Sequence, residues 1–227
     1  QHIAGIEVRY MQRLITERDS GGVFVGFTDL MQRISLPLEQ LLLLIRVGAL
    51  RSFGIPKKEL MWNAHLNFHK VPLRSEVQPQ LFLQERREFA FPELSETDFE
   101  EVFEHLELLD FPLCNPFDIL EKDPEDHVLA RDLANHVGRE IVTYGYFISL
   151  KKIVSSRNQI VHFGTLFDRE GEQLDTVHFQ KAALNYPFRG KGIYAVYVRV
   201  SEEFGHFTIE VGRMEKIPYK TDVRYMP

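Results

Sequence analysis

Residues 139–227 constrain the fold more than any other part of the chain, because they hold five runs in which apolar and polar residues alternate. The first run, 141–150, puts Val142, Tyr144, Tyr146, Ile148 and Leu150 on one face and Ile141, Thr143, Phe147 and Ser149 on the other. Gly145 falls inside it, where a strand bends or bulges. Further runs occupy 159–167, closed by Asp168-Arg169-Glu170-Gly171, then 172–179, 193–200 and 207–214, the last entered by a turn at 203–206. In the fourth run Tyr194, Val196, Val198 and Val200 share a side. A period of two between glycine-containing turns is the signature of antiparallel strands. Five such strands suit a small closed barrel. The interval 180–192 has room for a short helix at 181–185 ahead of Pro187, as in the five-stranded OB-type barrel; other small barrels fit as well.

The first 66 residues read as helices. A helix at 9–18 follows the turn Ala4-Gly5-Ile6 and stops at Ser20-Gly21-Gly22. Thr28 is placed to cap a helix at 29–33, and Ser35 to cap one that starts near Pro37 and runs to Arg46. After Val47-Gly48-Ala49-Leu50, Pro56 opens a helix at 57–66. Short glycine turns therefore lead into helices twice, at 3–6 and 47–50, a helix-hairpin-helix pattern. A glycine hairpin lets backbone approach a phosphate, and the helix behind it offers free amides and a positive dipole end. Gly5 and Gly48 are the turn glycines; Arg9, Arg13, Arg46, Arg51, Lys57 and Lys58 are the available cations. A plain helical bundle with glycine caps has the same spacing, and Glu7 opposes phosphate contact at the first turn.

Charge is unevenly spread. Residues 1–70 carry 9 Lys/Arg against 6 Asp/Glu, residues 71–140 carry 6 against 18, and residues 141–227 carry 12 against 9. The ends can face a polyanion and the acidic middle cannot. No apolar run approaches the ~20 residues of a bilayer span. A single cysteine, Cys114, excludes an internal disulfide and a cysteine-based zinc site, and a reducing cytoplasm is the expected compartment. Beginning Gln-His-Ile, the chain is expected to be cut from a longer protein.

Residues 67–95, broken by Pro72, Pro79 and Pro92, read as a tether. Within it Gln78-Pro79-Gln80-Leu81-Phe82-Leu83 has the form of a docking peptide, with Gln78 to hydrogen-bond and Leu81-Phe82 as apolar anchor; a stray apolar patch has the same form. An acidic helix at 96–108 follows Ser95, which with Asp98 resembles a capping pattern, and has Phe99, Val102, Phe103 and Leu106 as its apolar stripe. A compact apolar turn at 111–117 and short helices at 118–120 and 127–135 lead to the barrel. No phosphate-binding glycine loop and no nucleophile elbow occur. His65 and His69 have a metal-compatible spacing without a carboxylate to complete it. His162 and His178 read as surface or core residues of the strands, and Cys114 as a buried thiol rather than a nucleophile.

The order of these pieces resembles the C-terminal region of the bacterial DNA polymerase III alpha subunit, the C-family replicative polymerase, including its error-prone paralogues. The likeness rests on Ile3-Ala4-Gly5-Ile6 through Ile15-Thr16-Glu17-Arg18, on residues 27–33 followed by Leu44-Ile45-Arg46-Val47-Gly48-Ala49-Leu50, on 108–120, and on 145–167 with 175–179. It covers essentially the whole chain. Glu7 and Pro79 depart from the pattern. The resemblance implies an α+β multidomain fold: a helix-hairpin-helix domain at 1–70, a linker at 71–95, an acidic helical connector at 96–138, and an OB-type barrel at 139–227. It implies that Gln78, Leu81 and Phe82 bind the sliding clamp, that other replisome subunits are partners, and that Mg2+ belongs only to a palm domain outside this sequence, so that this part does not polymerise and carries no cofactor. Duplex DNA is expected on Gly5, Arg9, Arg13, Arg46, Gly48, Arg51 and Lys57. Single-stranded template is expected on Lys151, Lys152 and Arg157 of the first barrel loop and on Phe163, His178 and Phe179, where alternation leaves open which rings face outward. A module that binds proteins and little DNA is the competing expectation, favoured by the net charge of −6.

Overall fold

A computed structural model describes residues 3–67, 99–154, 158–203 and 205–225. These divide into two compact units, Gln1–Phe111 with Val223–Pro227, and Pro112–Asp222.

The first unit is helical. Helices α1 (Val8–Gly21), α2 (Phe27–Arg33), α3 (Leu38–Arg46) and α4 (Lys57–Asn67) enclose a core of Leu30, Leu41, Leu44, Ile45, Leu60 and Ala64. Tyr10, Met11 and Leu14, one turn apart on α1, pack against it. Arg33 joins α2 to the end of α1: with a side chain only 4% exposed, it binds Glu17 at 2.9 Å and Asp29 at 3.2 Å, donates to the carbonyls of Glu17 and Gly22, and lies over the Phe24 ring. Two expected caps are corrected. Helix α2 starts from Gly26 rather than Thr28, with Asp29 accepting the Val25 amide, and α3 starts from Pro37 with no side-chain cap from Ser35. Proline at that position already holds the extended-to-helical turn, so the serine is not needed.

Helix α5 (Glu100–Leu109) also belongs to this unit. It is bounded by two residues in left-handed conformation, Phe99 at φ 65° and Asp110 at φ 66°. Its buried residues are Glu104, His105 and Leu108, while the expected stripe of Phe99, Val102, Phe103 and Leu106 is only half-buried. The sequence periodicity marks an apolar face, and the helix docks by the charged face beside it. The expected cap from Ser95 and Asp98 lies outside the described residues.

The second unit is a closed barrel of β1 (Glu140–Val154), β2 (Ile160–Phe167), β3 (Gln173–His178), β4 (Ile193–Glu203) and β5 (His206–Lys216), ordered β1-β2-β3-β5-β4. Only the β3–β5 pair is parallel, with Thr176 opposite Ile209. The 15 residues of β1 close the barrel, since its first half pairs with β4, its second with β2, and Tyr146 with both. The irregularity that permits this lies between Phe147 and Ser149 rather than at Gly145. Gly145 serves instead as a point of close approach. A Cβ there would sit 2.6 Å from the Leu166 Cβ, so glycine leaves room for the Leu166 side chain to pack against β1 inside the barrel.

Leu166, Leu174, Tyr194, Val196, Val198, Val200, Ile209 and Val211 fill the interior. Leu133 joins them from the 3-10 segment Ala130–His136. Helix α6 (Gln180–Asn185) stands between β3 and β4 and buries Ala182 and Ala183. The face of β1 richest in large apolar residues points out of the barrel. Tyr144, Tyr146 and Ile148 pack with Phe117, Leu120, Ile193 and Tyr219 in a separate cluster, covered by the segment Pro116–Ile119. Asn115 caps that segment by accepting the Phe117 amide.

Candidate nucleic-acid interface

In the helical unit both predicted glycine turns exist. Gly5 has φ 76°. Buried Gln40 clamps it, donating to the Gly5 carbonyl at 3.0 Å and accepting the Glu7 amide at 2.9 Å. Glu7 occupies the N-cap of α1 in extended conformation, and its carboxylate binds Arg9 at 2.7 Å, so the acid that opposes phosphate there is already neutralised. Arg13 is exposed and has no ion pair among the described residues.

The second turn closes α3 with a Schellman pair: the Ala49 amide donates to Leu44 and the Gly48 amide to Ile45, with Gly48 at φ 76°. Two of the hairpin amides are thus spent on ending the helix. Arg51 folds back to the Gly48 carbonyl at 3.0 Å and reaches Glu101 at 3.1 Å. Arg46 binds Glu104 and Glu107, Lys57 binds Glu104, and Lys58 binds Glu100. Of the five cations assigned to DNA in this unit, four face a carboxylate and Arg13 alone does not, among the described residues.

On the barrel, alternation is resolved by the register. Lys151, Phe163 and Val177 form one cross-strand row over β1, β2 and β3, and Ser149, Thr165 and Asp175 form the next. Phe163 is 42% exposed and Phe179, just before α6, 50% exposed. Lys151 and Lys152 are exposed at the end of β1. Arg157 lies outside the described residues, as do Gln78, Leu81, Phe82 and His69. His178 is corrected: it is 1% exposed and faces into the barrel, where its Nε2 lies 3.0 Å from the Thr176 hydroxyl and Phe188 tilts against its ring. Burial, with neighbouring His162 adding to it, pushes its pKa down to about 4, and burial is also the first reason that His162 is lowered. A ring so placed cannot stack a base. The alternating position does reach the surface in Phe167, 39% exposed on the same side of β2 as Phe163; the period of two that selected Phe163 selects it equally.

The face on β1, β4 and β5 carries both signs. Tyr197 sits there under Arg213, with Arg199, Glu140 and Glu210 around it. Such mixed charge suits a polyanion less than the β1–β3 side does. Cys114 is exposed, correcting its expected burial; it lies in the loop before Pro116, between buried Pro112 and buried Phe117. Among the described residues no three His, Cys, Asp or Glu side chains come together to hold a metal, and no helix is long and apolar enough to cross a membrane.

Residues 1–60 match the family model of the helix-hairpin-helix motif. No curated protein matches the chain. Among solved structures, the chain is similar to the second OB-fold domain of replication protein A from Methanococcus maripaludis, at 12% identity over 38% of this chain and 91% of that one, with a TM-score of 0.30. It is also similar to RecG bound to a three-way DNA junction, at 16% identity over 79% of this chain and 26% of that one, with a TM-score of 0.29.

Proposed function

We propose that the chain binds DNA without catalysing a reaction on it, as the C-terminal part of a C-family polymerase of the polymerase III alpha type. The observation that carries the reading is the outer β1–β3 face of the barrel, where Phe163, Phe167 and Phe179 are exposed and Lys151 stands opposite Phe163, with Lys152 exposed next to it at the end of β1. Exposed rings next to cations are what a sequence-tolerant single-strand site needs: each stacked base contributes about 1–3 kcal/mol, and the lysines track the phosphates. The helix-hairpin-helix motif of residues 1–60 supports duplex contact through backbone phosphates, through the α1 turn with Arg9 and Arg13 and the α3–α4 turn with Arg46, Arg51 and Lys57. Fluorescence anisotropy with a labelled oligothymidylate at low salt tests the barrel. Affinity that falls steeply with added salt is expected, and absence of binding, or of salt dependence, sinks the reading.

Clamp binding by Gln78, Leu81 and Phe82 is part of the same proposal and rests on the sequence resemblance. Leu81→Ala with Phe82→Ala is expected to abolish binding to a bacterial sliding clamp and leave DNA binding intact; a double variant that still binds the clamp refutes the assignment. A second reading, an interaction module for replisome proteins with little DNA affinity, is favoured by one observation: the cations of the second hairpin already face carboxylates.

A further inference from the structure

Helix α5 lays a row of carboxylates against the cations of the second hairpin. Glu104 reaches Arg46 Nε at 3.0 Å with one oxygen and Lys57 Nζ at 2.7 Å with the other. Glu107 meets Arg46 at 2.7 Å, Glu101 meets Arg51 at 3.1 Å, and Glu100 meets Lys58 at 3.2 Å. Arg224 lies 3.9 Å from Glu104 and 3.7 Å from Glu107. Positions 100 to 107 of a helix span about 10 Å, so these four carboxylates follow one another at about 3.5 Å on average along the axis, close to the rise of about 3.4 Å per phosphate of one DNA strand.

The mode of docking is the second observation. A helix kept for stability normally buries its apolar stripe. Here Leu108 is the one apolar side chain of α5 that is fully buried, and Glu104 and His105 take the other buried positions. The Nε2 of His105 has no hydrogen-bond partner among the described residues, its nearest acid being Glu101 at 3.7 Å. Contact made mainly of ion pairs, with an unsatisfied buried nitrogen, is one that another polyanion can exchange for. The four cations all lie within the matched motif of residues 1–60, and α5 lies outside it.

We propose that Arg46, Arg51, Lys57 and Lys58 form a phosphate-binding surface for duplex DNA, and that α5 covers it with carboxylates standing in for the phosphates. Duplex DNA reaches this surface by displacing α5. The inference rests on the reading that the helical unit binds duplex, and its test separates the two.

The probe is a labelled blunt 20-base-pair duplex, with the whole chain, followed by anisotropy at low salt. Glu101→Gln with Glu107→Gln removes two partly exposed carboxylates and spares buried Glu104. This variant is expected to bind roughly three- to tenfold more tightly than wild type. Glu121→Gln with Glu125→Gln makes the same change in net charge on exposed residues of the barrel unit, and is expected to shift affinity less than about twofold. Adding Arg51→Ala to the α5 variant is expected to remove the gain. Equal gains in both pairs, no gain in the α5 pair, or a gain that survives Arg51→Ala overturns the inference. Hydrogen exchange on the unaltered chain tests it without relying on a variant that folds: saturating duplex is expected to lower protection of 103–109, and unchanged or increased protection there refutes displacement. If neither wild type nor any variant binds duplex, the duplex reading and the inference fall together.

Discussion

The buried histidine of the barrel makes stability depend on pH in a calculable way. His178 is sealed from solvent, and its neighbours fix its tautomer. The Thr176 hydroxyl has one proton and donates it to the Gly164 carbonyl at 2.9 Å, so Nε2 of His178 must donate to the Thr176 oxygen at 3.0 Å. Acid then has to protonate Nδ1 inside the barrel. Burial holds the folded pKa at about 4 against the ordinary 6.5. On acidification the unfolded chain takes up the proton first. The contribution is therefore complete above pH ~6.5 and is lost as pH falls toward ~4. The gap between about 4 and 6.5 corresponds to about 3 kcal/mol in full, most of which is lost between pH ~7.5 and ~4.5. His178→Leu keeps a similar volume and leaves the Thr176–Gly164 bond in place. The variant is expected to be less stable than wild type near neutrality, by about 1 kcal/mol for the lost hydrogen bond, and more stable at pH ~4.5. Denaturant melts at both pH values measure this. Near-UV circular dichroism of the tyrosines follows the barrel, since the single tryptophan, Trp62, lies in α4. Parallel pH dependence in wild type and variant, or a His178 resonance titrating near 6.5, refutes the reasoning.

Other perturbations follow from the same packing. Gly145→Ala places a Cβ 2.6 Å from the Leu166 Cβ and is expected to cost about 1–3 kcal/mol, a fall of roughly 5–20 °C in barrel melting temperature. Gly212→Ala meets only the Tyr197 carbonyl at 3.6 Å and should stay within about 0.5 kcal/mol of wild type; equal effects at the two sites contradict the close-approach explanation. Gly48→Ala forces a side chain to φ 76° and should destabilise the helical unit by about 1 kcal/mol, read from Trp62 fluorescence during denaturation. Phe163→Ala should weaken oligothymidylate binding by about 1–3 kcal/mol without altering the barrel's melting temperature by more than a few degrees, because the ring is 42% exposed; unchanged affinity removes Phe163 from the site.

Local chemistry made most of the architecture legible. Five period-two runs became the five strands, and the short helix stands between β3 and β4 where the gap left room for it. The glycines at 5 and 48 have the positive φ that hairpin turns require. These features depend on residues close in sequence, so a linear pattern carries them. Where several residues satisfy the same pattern, the sequence leaves the choice open. Both faces of β1 alternate equally well, and it is the cover of Phe117, Leu120 and Tyr219 that turns Tyr146 outward and leaves Thr143 and Gly145 inside. His178 and Phe163 looked alike as strand residues of the site, and barrel closure buried one and exposed the other.

Charge behaves in the same way over a longer distance. Composition identified basic hairpins and an acidic middle. It could not place Glu104, 58 positions after Arg46, within 3.0 Å of it. An acidic amphipathic helix read alone is expected to bury its apolar stripe and solvate its carboxylates. Beside Arg46, Arg51, Lys57 and Lys58 the balance changes, since pairing at about 3 Å in a partly desolvated contact outweighs the cover of a few apolar side chains. Linear chemistry thus specified the elements, their order and which residue types were available for phosphate and bases. Folding alone decided which of those groups are free to meet a ligand, because burial and charge pairing depend on neighbours that come together only in the tertiary structure.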